Sequence, residues 1–272
     1  MSDYKIGDIV ARKSYGADIT FEIADVIRND DRDEQYLLKG LFFRLAADSD
    51  ESDLIKVNSR TVHSNTQKNI FMLKANQFFN RLFRNPYLFN MQRRRPGKIL
   101  HVDGSRSFLN TSMMYYRSRG LRPVGVYVDE PDQPQAARSL LSQHNPDIVV
   151  FTGHDGLSKD ATDVNSFESY TYSRYYAQTV REARAYQPNS DNLFIFAGAC
   201  QSYYEALVSA GATYASSPSR VLIHSVDPAI VASRFAITSQ NRIITPNQAV
   251  RGTYAGTRGI GGVSTRGRLT TA

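Results

Sequence analysis

The sequence predicts an α/β fold: a parallel sheet flanked by helices, caspase-like or flavodoxin-like, preceded by a small SH3-like β-barrel. Two patterns point there. From residue 98 onward, short apolar runs alternate with longer helix-compatible stretches, as in a parallel sheet covered on both faces. Before residue 58, four short β-rich runs are separated by turn-forming residues, as in a small, strongly bent barrel.

The elements follow in order. Residues 8–15 (DIVARKSY), 19–28 (ITFEIADVIR), 34–42 (EQYLLKGLF) and 53–57 (DLIKV) carry β-branched or aromatic residues in partial alternation. GAD at 16–18 and NDDRDE at 29–34 separate them, and together they define a barrel domain over residues 1–57. Residues 58–97 form a basic helical linker, in which Phe71, Phe78 and Leu82 have helix-compatible spacing and Pro86 ends or bends the helix. The α/β domain spans residues 98–245. Its strands are KILHVDG (98–104), PVGVYVD (123–129), DIVVFTG (147–153), NLFIFAGA (192–199) and ATYASSP (212–218). Helical stretches at 105–120, 133–145, 173–186 and 201–211 alternate with them, and the run 220–237 completes the series. Near-continuous apolar strands fit burial on both faces. Residues 246–272, rich in Gly, Thr and Arg, have too little apolar area to offset ordering entropy and are expected to form a flexible basic tail.

Composition narrows the function classes. The chain has 272 residues, 41% apolar and 22% charged, which suits a soluble globular protein with a real core. It has no apolar run long enough to span a membrane and no signal-peptide layout at its start. One cysteine cannot form an internal disulfide, which fits a reducing compartment. The net charge of +7 is uneven. Residues 1–57 carry 8 basic and 13 acidic residues, whereas 58–98 carry 9 basic and no acidic ones. That asymmetry fits either contact with an acidic partner or a solvated linker and tail. No metal-ligand spacing, P-loop or strand-following GxGxxG is present, so neither a metal nor a cofactor is expected. His101, on an apolar strand, is expected to be a satisfied core residue.

Ligands and chemistry in a parallel α/β sheet gather at the carboxyl ends of the strands. Two such ends carry reactive residues: TGHDG places His154 there, and FAGACQS places Cys200 there, 46 residues later. On adjacent strands both side chains project into one crevice. A thiol reacts as thiolate, and a nearby imidazole can take its proton and later protonate a leaving amine. A helix starting near Gln201 would lower the thiol pKa further. Backbone N–H groups at Gly153, Gly156 and Gln201 are candidates to bind an oxyanion. Asp103 and Asp155 lie at the same sheet edge. Either would read a basic substrate side chain, or Asp155 would orient His154. Ser216 and Ser217 line a substrate pocket or form a structural turn.

An apolar strand ending in His-x-Gly, followed about fifty residues later by one ending in Ala-Cys, resembles the caspase/gingipain/legumain-like cysteine proteases. Asp155 intervenes between His154 and Gly156, where many of that group have His-Gly directly. A closer resemblance covers nearly the whole chain. YKIGDIVARKSYGADITFEI, GKILHVDG, PDIVVFTGHDG and FAGACQSYYEALVSAGATYASSPSRVLIH resemble the YabG-type sporulation-specific protease family of spore-forming bacteria. The resemblance implies a cysteine endopeptidase that processes spore coat and morphogenetic proteins, with Cys200 as nucleophile and His154 as base. It also implies a place in the mother-cell cytoplasm and then in the spore coat. Relatives in the wider group often cut after Arg or Lys, which suggests a basic preference here. The arginines of RRRPGK and of the tail then become candidate self-cleavage sites. Protein substrates are thus the expected partners; nucleic acid is not expected, and the sequence leaves the oligomeric state open. Two other readings stand beside this one. One is a non-catalytic scaffold of the spore coat, whose barrel and basic linker hold RNA or a coat protein. The other is a small-molecule hydrolase or amidotransferase using the same cysteine.

Overall fold

The computed structural model describes residues 3–27, 34–58 and 94–271. Five short strands come first: β1 (Ile9–Arg12), β2 (Phe21–Ile27), β3 (Gln35–Gly40), β4 (Ala46–Asp50) and β5 (Leu54–Lys56). They pair antiparallel in the order β4-β3-β2-β1-β5. In β3 every second residue is buried: Tyr36, Leu38 and Gly40. That alternation marks a sheet with one face on a core and one toward water. The register of β2 on β3 shifts between Ile23 and Asp25, a bulge that bends the strand. β4 is absent from the sequence reading because Ala-Ala-Asp-Ser-Asp has little β propensity. It pairs because the β3–β4 hairpin sets Ala46 opposite Lys39.

The second unit opens with β6 (Arg94–Arg95), β7 (Ile99–Asp103), α1 (Arg106–Ser118), β8 (Val124–Tyr127), α2 (Gln133–His144), β9 (Ile148–Thr152) and α3 (Ser173–Tyr186). It continues with β10 (Phe194–Ala197), α4 (Tyr204–Ser209), β11 (Tyr214–Ser216), α5 (Asp227–Ile237), β12 (Ile243–Ile244) and α6 (Pro246–Ala249). It closes with α7 (Gly256–Gly259), β13 (Ile260–Gly262), β14 (Thr265–Arg266) and β15 (Thr270–Thr271). The helix expected in the linker lies outside the described residues.

The main sheet runs β13-β11-β10-β9-β7-β8. Five strands are parallel and β13 is antiparallel to β11, so the sheet is mixed rather than wholly parallel. Alternate residues feed two cores. Ile99, Ile148, Val150, Phe194 and Phe196 meet α1 and α5, through Met113, Tyr116, Ile230 and Phe235. Leu100, Val149, Phe151, Ile195 and Ala197 meet α2 and α3, through Leu141, Tyr176, Ala177 and Val180. Full burial of each Val, Leu, Ile, Phe or Met side chain among them contributes roughly 1.5–3 kcal/mol. The chain leaves β7 toward β8 on one side and reaches β9 on the other. The crevice outside β7 and β9 is therefore the switch point where such sheets bind ligands.

The tail expected to be flexible is folded. Thr245 and Gln248 form a reciprocal cap on α6, β13 extends the sheet, and β15 pairs with β6. Composition misleads here because the glycines serve close approach. A Cβ on Gly262 would lie 2.5 Å from Thr213 O, and one on Gly261 would lie 2.6 Å from the Tyr204 hydroxyl. Backbone pairing at the open edge of β11 supplies the order that the side chains do not.

The β3–β4 hairpin docks on the carboxyl edge of the main sheet. Ala46 N–H donates to Asp155 O at 2.8 Å, and a Cβ on Gly156 would stand 1.8 Å from Ala46 O. Gly156→Ala is therefore expected to lower unfolding free energy by about 1–3 kcal/mol. Denaturant melts of the two proteins at one pH check this; an unchanged midpoint would mean that the docked arrangement is wrong.

Candidate active site

One residue of the β3–β4 turn, Arg44, lies against the crevice in an unusual way. Arg44 belongs to the N-terminal unit yet is completely buried. Its guanidinium makes a two-pronged pair with Asp103 at the end of β7, Nη1 to Oδ1 at 3.2 Å and Nη2 to Oδ2 at 2.9 Å. Nη1 also donates to Gly153 O at 3.2 Å. Ser225 O accepts from Nε at 3.0 Å and from Nη2 at 2.6 Å. The Phe108 ring stacks 4.9 Å from the guanidinium carbon. The planar fork thus has an acceptor on every edge.

Asp103 is held in turn. His101 is a satisfied core residue, with Nε2 3.2 Å from Asp103 Oδ2 and Nδ1 2.9 Å from the Tyr116 hydroxyl. A carboxylate only accepts, so Nε2 carries the ring proton and Nδ1 accepts from Tyr116. Burial alone would raise the Asp103 pKa. The Arg44 charge, with His101, overrides it and holds the carboxyl well below the usual carboxylate range.

The backbone of the same segment lies extended across the strand ends. Arg44 O accepts two N–H bonds, from Asp155 at 3.0 Å and from Cys200 at 3.1 Å. Phe42 O accepts from Ser225 N–H at 3.2 Å, and Arg44 N–H points to Ile223 O at 3.5 Å. Phe43 bridges His224 antiparallel, and Leu45 bridges Asp155 parallel. An extended segment is thus held between two others by main-chain bonds, with one side chain filling a charged pocket.

Cys200 follows β10 in a tight turn, where Gly198 has φ +100° and a Cβ would meet Leu207 at 2.7 Å. The helix after it, α4, starts only at Tyr204, so the thiol does not sit on a helix start as expected. The thiol is fully buried, and Sγ is 3.2 Å from Ile223 N and 3.4 Å from Ile223 O. Burial pushes its pKa up to about 12, against the lowering the sequence suggested.

His154 follows β9, the strand paired with β10. It shares the sheet edge with Cys200 but is not hydrogen-bonded to it: Nε2 is 3.1 Å from Gly40 O. Nδ1 faces Glu130 Oε1 at 3.6 Å, and the same oxygen accepts the His154 backbone N–H at 2.8 Å. Burial would raise the Glu130 pKa, but bonding to His154 and the Lys39 charge, 3.1 Å away, lower it. Glu130 thus stands behind the imidazole in the place the sequence reading offered to Asp155. The only sequence signal was its position just past β8, at the same sheet edge.

Asp155 does something else. Its carboxylate accepts from the Ser173 and Ser202 hydroxyls and from the Tyr172 and Gly156 N–H groups. Burial nonetheless raises its pKa to about 6. It neither orients His154 nor reaches Arg44's side chain. It fixes the loop whose N–H and carbonyl hold Arg44 O and Ala46.

The other expected residues divide. Gly153 contributes its carbonyl, not its N–H, and Gly156 gives its N–H to Asp155. Gln201 accepts from Leu157 N–H through its side chain. None of the three supplies a donor to Arg44 O; Asp155 and Cys200 do. Ser217 bonds Val221 N and O and so closes the turn that leads to Ile223 and Ser225. Ser217 is therefore a turn residue, Ser216 is the last residue of β11, and neither bonds the Arg44 side chain. Ile223 and Ser225 act through their backbones, which left no side-chain signal to find.

A thiol, an imidazole backed by a carboxylate and two converging N–H donors at a strand-end crevice together make an arrangement suited to acyl transfer. Residues 5–272 match the family described as YabG peptidase U57, and the chain belongs to that family of peptidases. It is 34% identical, over 98% of its own length and 96% of the relative's, to the sporulation-specific protease YabG of Bacillus subtilis (strain 168). No solved structure matches it. No helix among the described residues is long and apolar enough to cross a membrane.

With its pKa near 12, Cys200 in this arrangement is expected to react with iodoacetamide at pH 8 roughly a thousandfold more slowly than free cysteine. Mass spectrometry of the trapped thiol, with an unfolded control, measures the ratio. Equal rates in native and unfolded chains would contradict the buried thiol.

Proposed function

We propose that the chain is a cysteine endopeptidase that cuts after arginine, with Cys200 as nucleophile and His154 as general base and acid. One observation carries the reading. A carbonyl oxygen takes two N–H bonds, one from Cys200 itself, while the side chain of that same residue, Arg44, is gripped by Asp103. That is the disposition an arginine substrate needs.

The chemistry follows from these positions. An extended substrate pairs with residues 223–225 and seats its arginine on Asp103 and on the carbonyls of Gly153 and Ser225. His154 takes the Cys200 proton, and the thiolate attacks the arginine carbonyl carbon. Negative charge grows on the carbonyl oxygen where the Asp155 and Cys200 N–H groups point. His154 then protonates the departing amine, and water hydrolyses the thioester. Glu130 is a positioning residue that keeps the imidazole's far nitrogen protonated. For this His154 must leave Gly40 O and Cys200 must leave Ile223, so the observed contacts describe a resting arrangement.

The relative's name supports a role in sporulation. Spore coat and morphogenetic proteins are the proposed substrates, met first in the mother-cell cytoplasm and then at the coat. The strand-end placement of His154 and Cys200 supports a caspase-like reading of the main sheet, and the bent five-stranded sheet a small-barrel reading of the first unit.

Matched peptides differing only at the residue before the cut test the proposal. Arg is expected to exceed Leu by about a thousandfold in kcat/KM, and Asp103→Asn to erase that preference. Cys200→Ala is expected to abolish turnover, and His154→Ala to lower kcat by about 100- to 10,000-fold. Equal rates for Arg and Leu, or unchanged turnover in a folded Cys200→Ala protein, would sink the reading.

A further inference from the structure

We infer that the Arg44–Leu45 peptide bond is this protein's own first cleavage site, and that the intact chain is a latent form whose crevice is filled by residues 42–46. The inference rests on the peptidase reading above and adds the bond, its regulatory meaning and the residues that impose latency.

Among the described residues of the first unit, only Arg44 bonds with its side chain to Asp103, Gly153 O and Ser225 O. Its carbonyl oxygen lies on the Asp155 and Cys200 N–H groups, which sets the Arg44–Leu45 peptide beside the backbone of the residue that carries the thiol. Main-chain contacts continue on both sides: Phe42 O on Ser225 N–H before the bond, and Ala46 N–H on Asp155 O after it. A segment that merely tied two units together would need none of this alignment around one carbonyl.

The same contacts keep the site idle. Leu45 and Arg44 are buried, so no other chain can enter while the segment stays. Gly40 O holds His154 Nε2, the nitrogen that must take the thiol proton. Both interactions come from the β3–β4 hairpin. The restraint and the substrate are therefore one element, and a single turnover removes both.

The step balances. His154 removes the Cys200 proton, sulfur bonds to the Arg44 carbonyl carbon, and the bond to Leu45 N breaks as that nitrogen receives the proton. Water then splits the thioester, leaving an Arg44 carboxylate, a Leu45 amine and a free thiol. Once the bond to Leu45 is cut, Arg44 is no longer tied to β4 through the chain and is held only by its non-covalent contacts, so it can withdraw. The pocket is then open to arginine on another protein. The arginines of the tail, offered by the sequence as self-cleavage sites, lie in or beside folded elements, and Arg268 is buried. Arg94 and Arg95 form β6, paired with β15.

The full-length protein, freshly purified and incubated, tests this by terminal sequencing together with hydrolysis of an arginine peptide. A new terminus beginning Leu45-Ala46-Ala47 is expected, at a rate unchanged over a hundredfold range of protein concentration. Peptide hydrolysis is expected to rise with the same time course. Cys200→Ala, which keeps the Arg44 pocket, stays intact, and Arg44→Gln slows the cut by about a thousandfold or more. The wild-type time course stands by itself if Arg44→Gln does not fold. Arginine-peptide hydrolysis at full rate from the start, with no Leu45 terminus at any time, overturns the inference and leaves the peptidase reading intact. Absence of both hydrolysis and new termini removes both. A Leu45 terminus that forms equally in Cys200→Ala assigns the cut to another protease and overturns self-cleavage.

Discussion

The buried pair between Arg44 and Asp103 is the constraint around which the two units are arranged. Moving two charges out of water costs several kcal/mol per ion, and their attraction offsets this only when geometry is good and every remaining donor is satisfied. Here the fork has Asp103 on one edge and carbonyls on the others, and His101 and Ser105 N–H complete the carboxylate. The first unit cannot shift on the second without stripping those partners. The hairpin, the segment of residues 223–225 and the loop after β9 are therefore fixed by one guanidinium.

Two carboxylates flanking the crevice show how environment divides labour. Glu130 and Asp155 are both buried, and burial opposes the charge of each. Glu130 meets a cation and an imidazole and stays ionised more readily than usual. Asp155 meets only neutral donors, and its pKa rises to about 6. Charge near the imidazole is therefore supplied by the residue with a cationic neighbour, while the other serves as a hydrogen-bond anchor for backbone.

Much of the second unit was legible in the chain itself. The helix of residues 173–186 and the strands ending in Asp103, Thr152 and Ala197 follow directly from period and composition, because they are long or apolar on both sides. Cys200, His154 and Asp103 stand out in the sequence because strand ends are where such sheets do chemistry, and the structure places all three at one sheet edge. What escaped depends on contacts far apart in sequence. Arg44 lies between a predicted strand and an acidic stretch, and nothing local marks it as buried. Ile223 and Ser225 contribute backbone atoms, which any residue carries. The run 220–237 looked like one element, yet its first part is extended and helix α5 starts only at Asp227. Val-Leu-Ile-His is β-prone, and only a strand waiting beside it decides between the two. The order of the tail is not legible in its composition because a glycine-rich edge strand gains its order from a partner, not from its own side chains.

The antiparallel edge strand β13 has a consequence for how the molecule comes into being. A ribosome releases the β3–β4 hairpin early, while the strands that receive it emerge late, and the last edge of the sheet is added from residues 260–262. Through most of synthesis the Arg44 charge is bathed in water, since residues 223–225 do not yet exist to accept it. Docking is thus deferred until translation is nearly complete. A nascent chain therefore carries Cys200 and His154 before residues 223–225 and the docked hairpin complete the crevice around them.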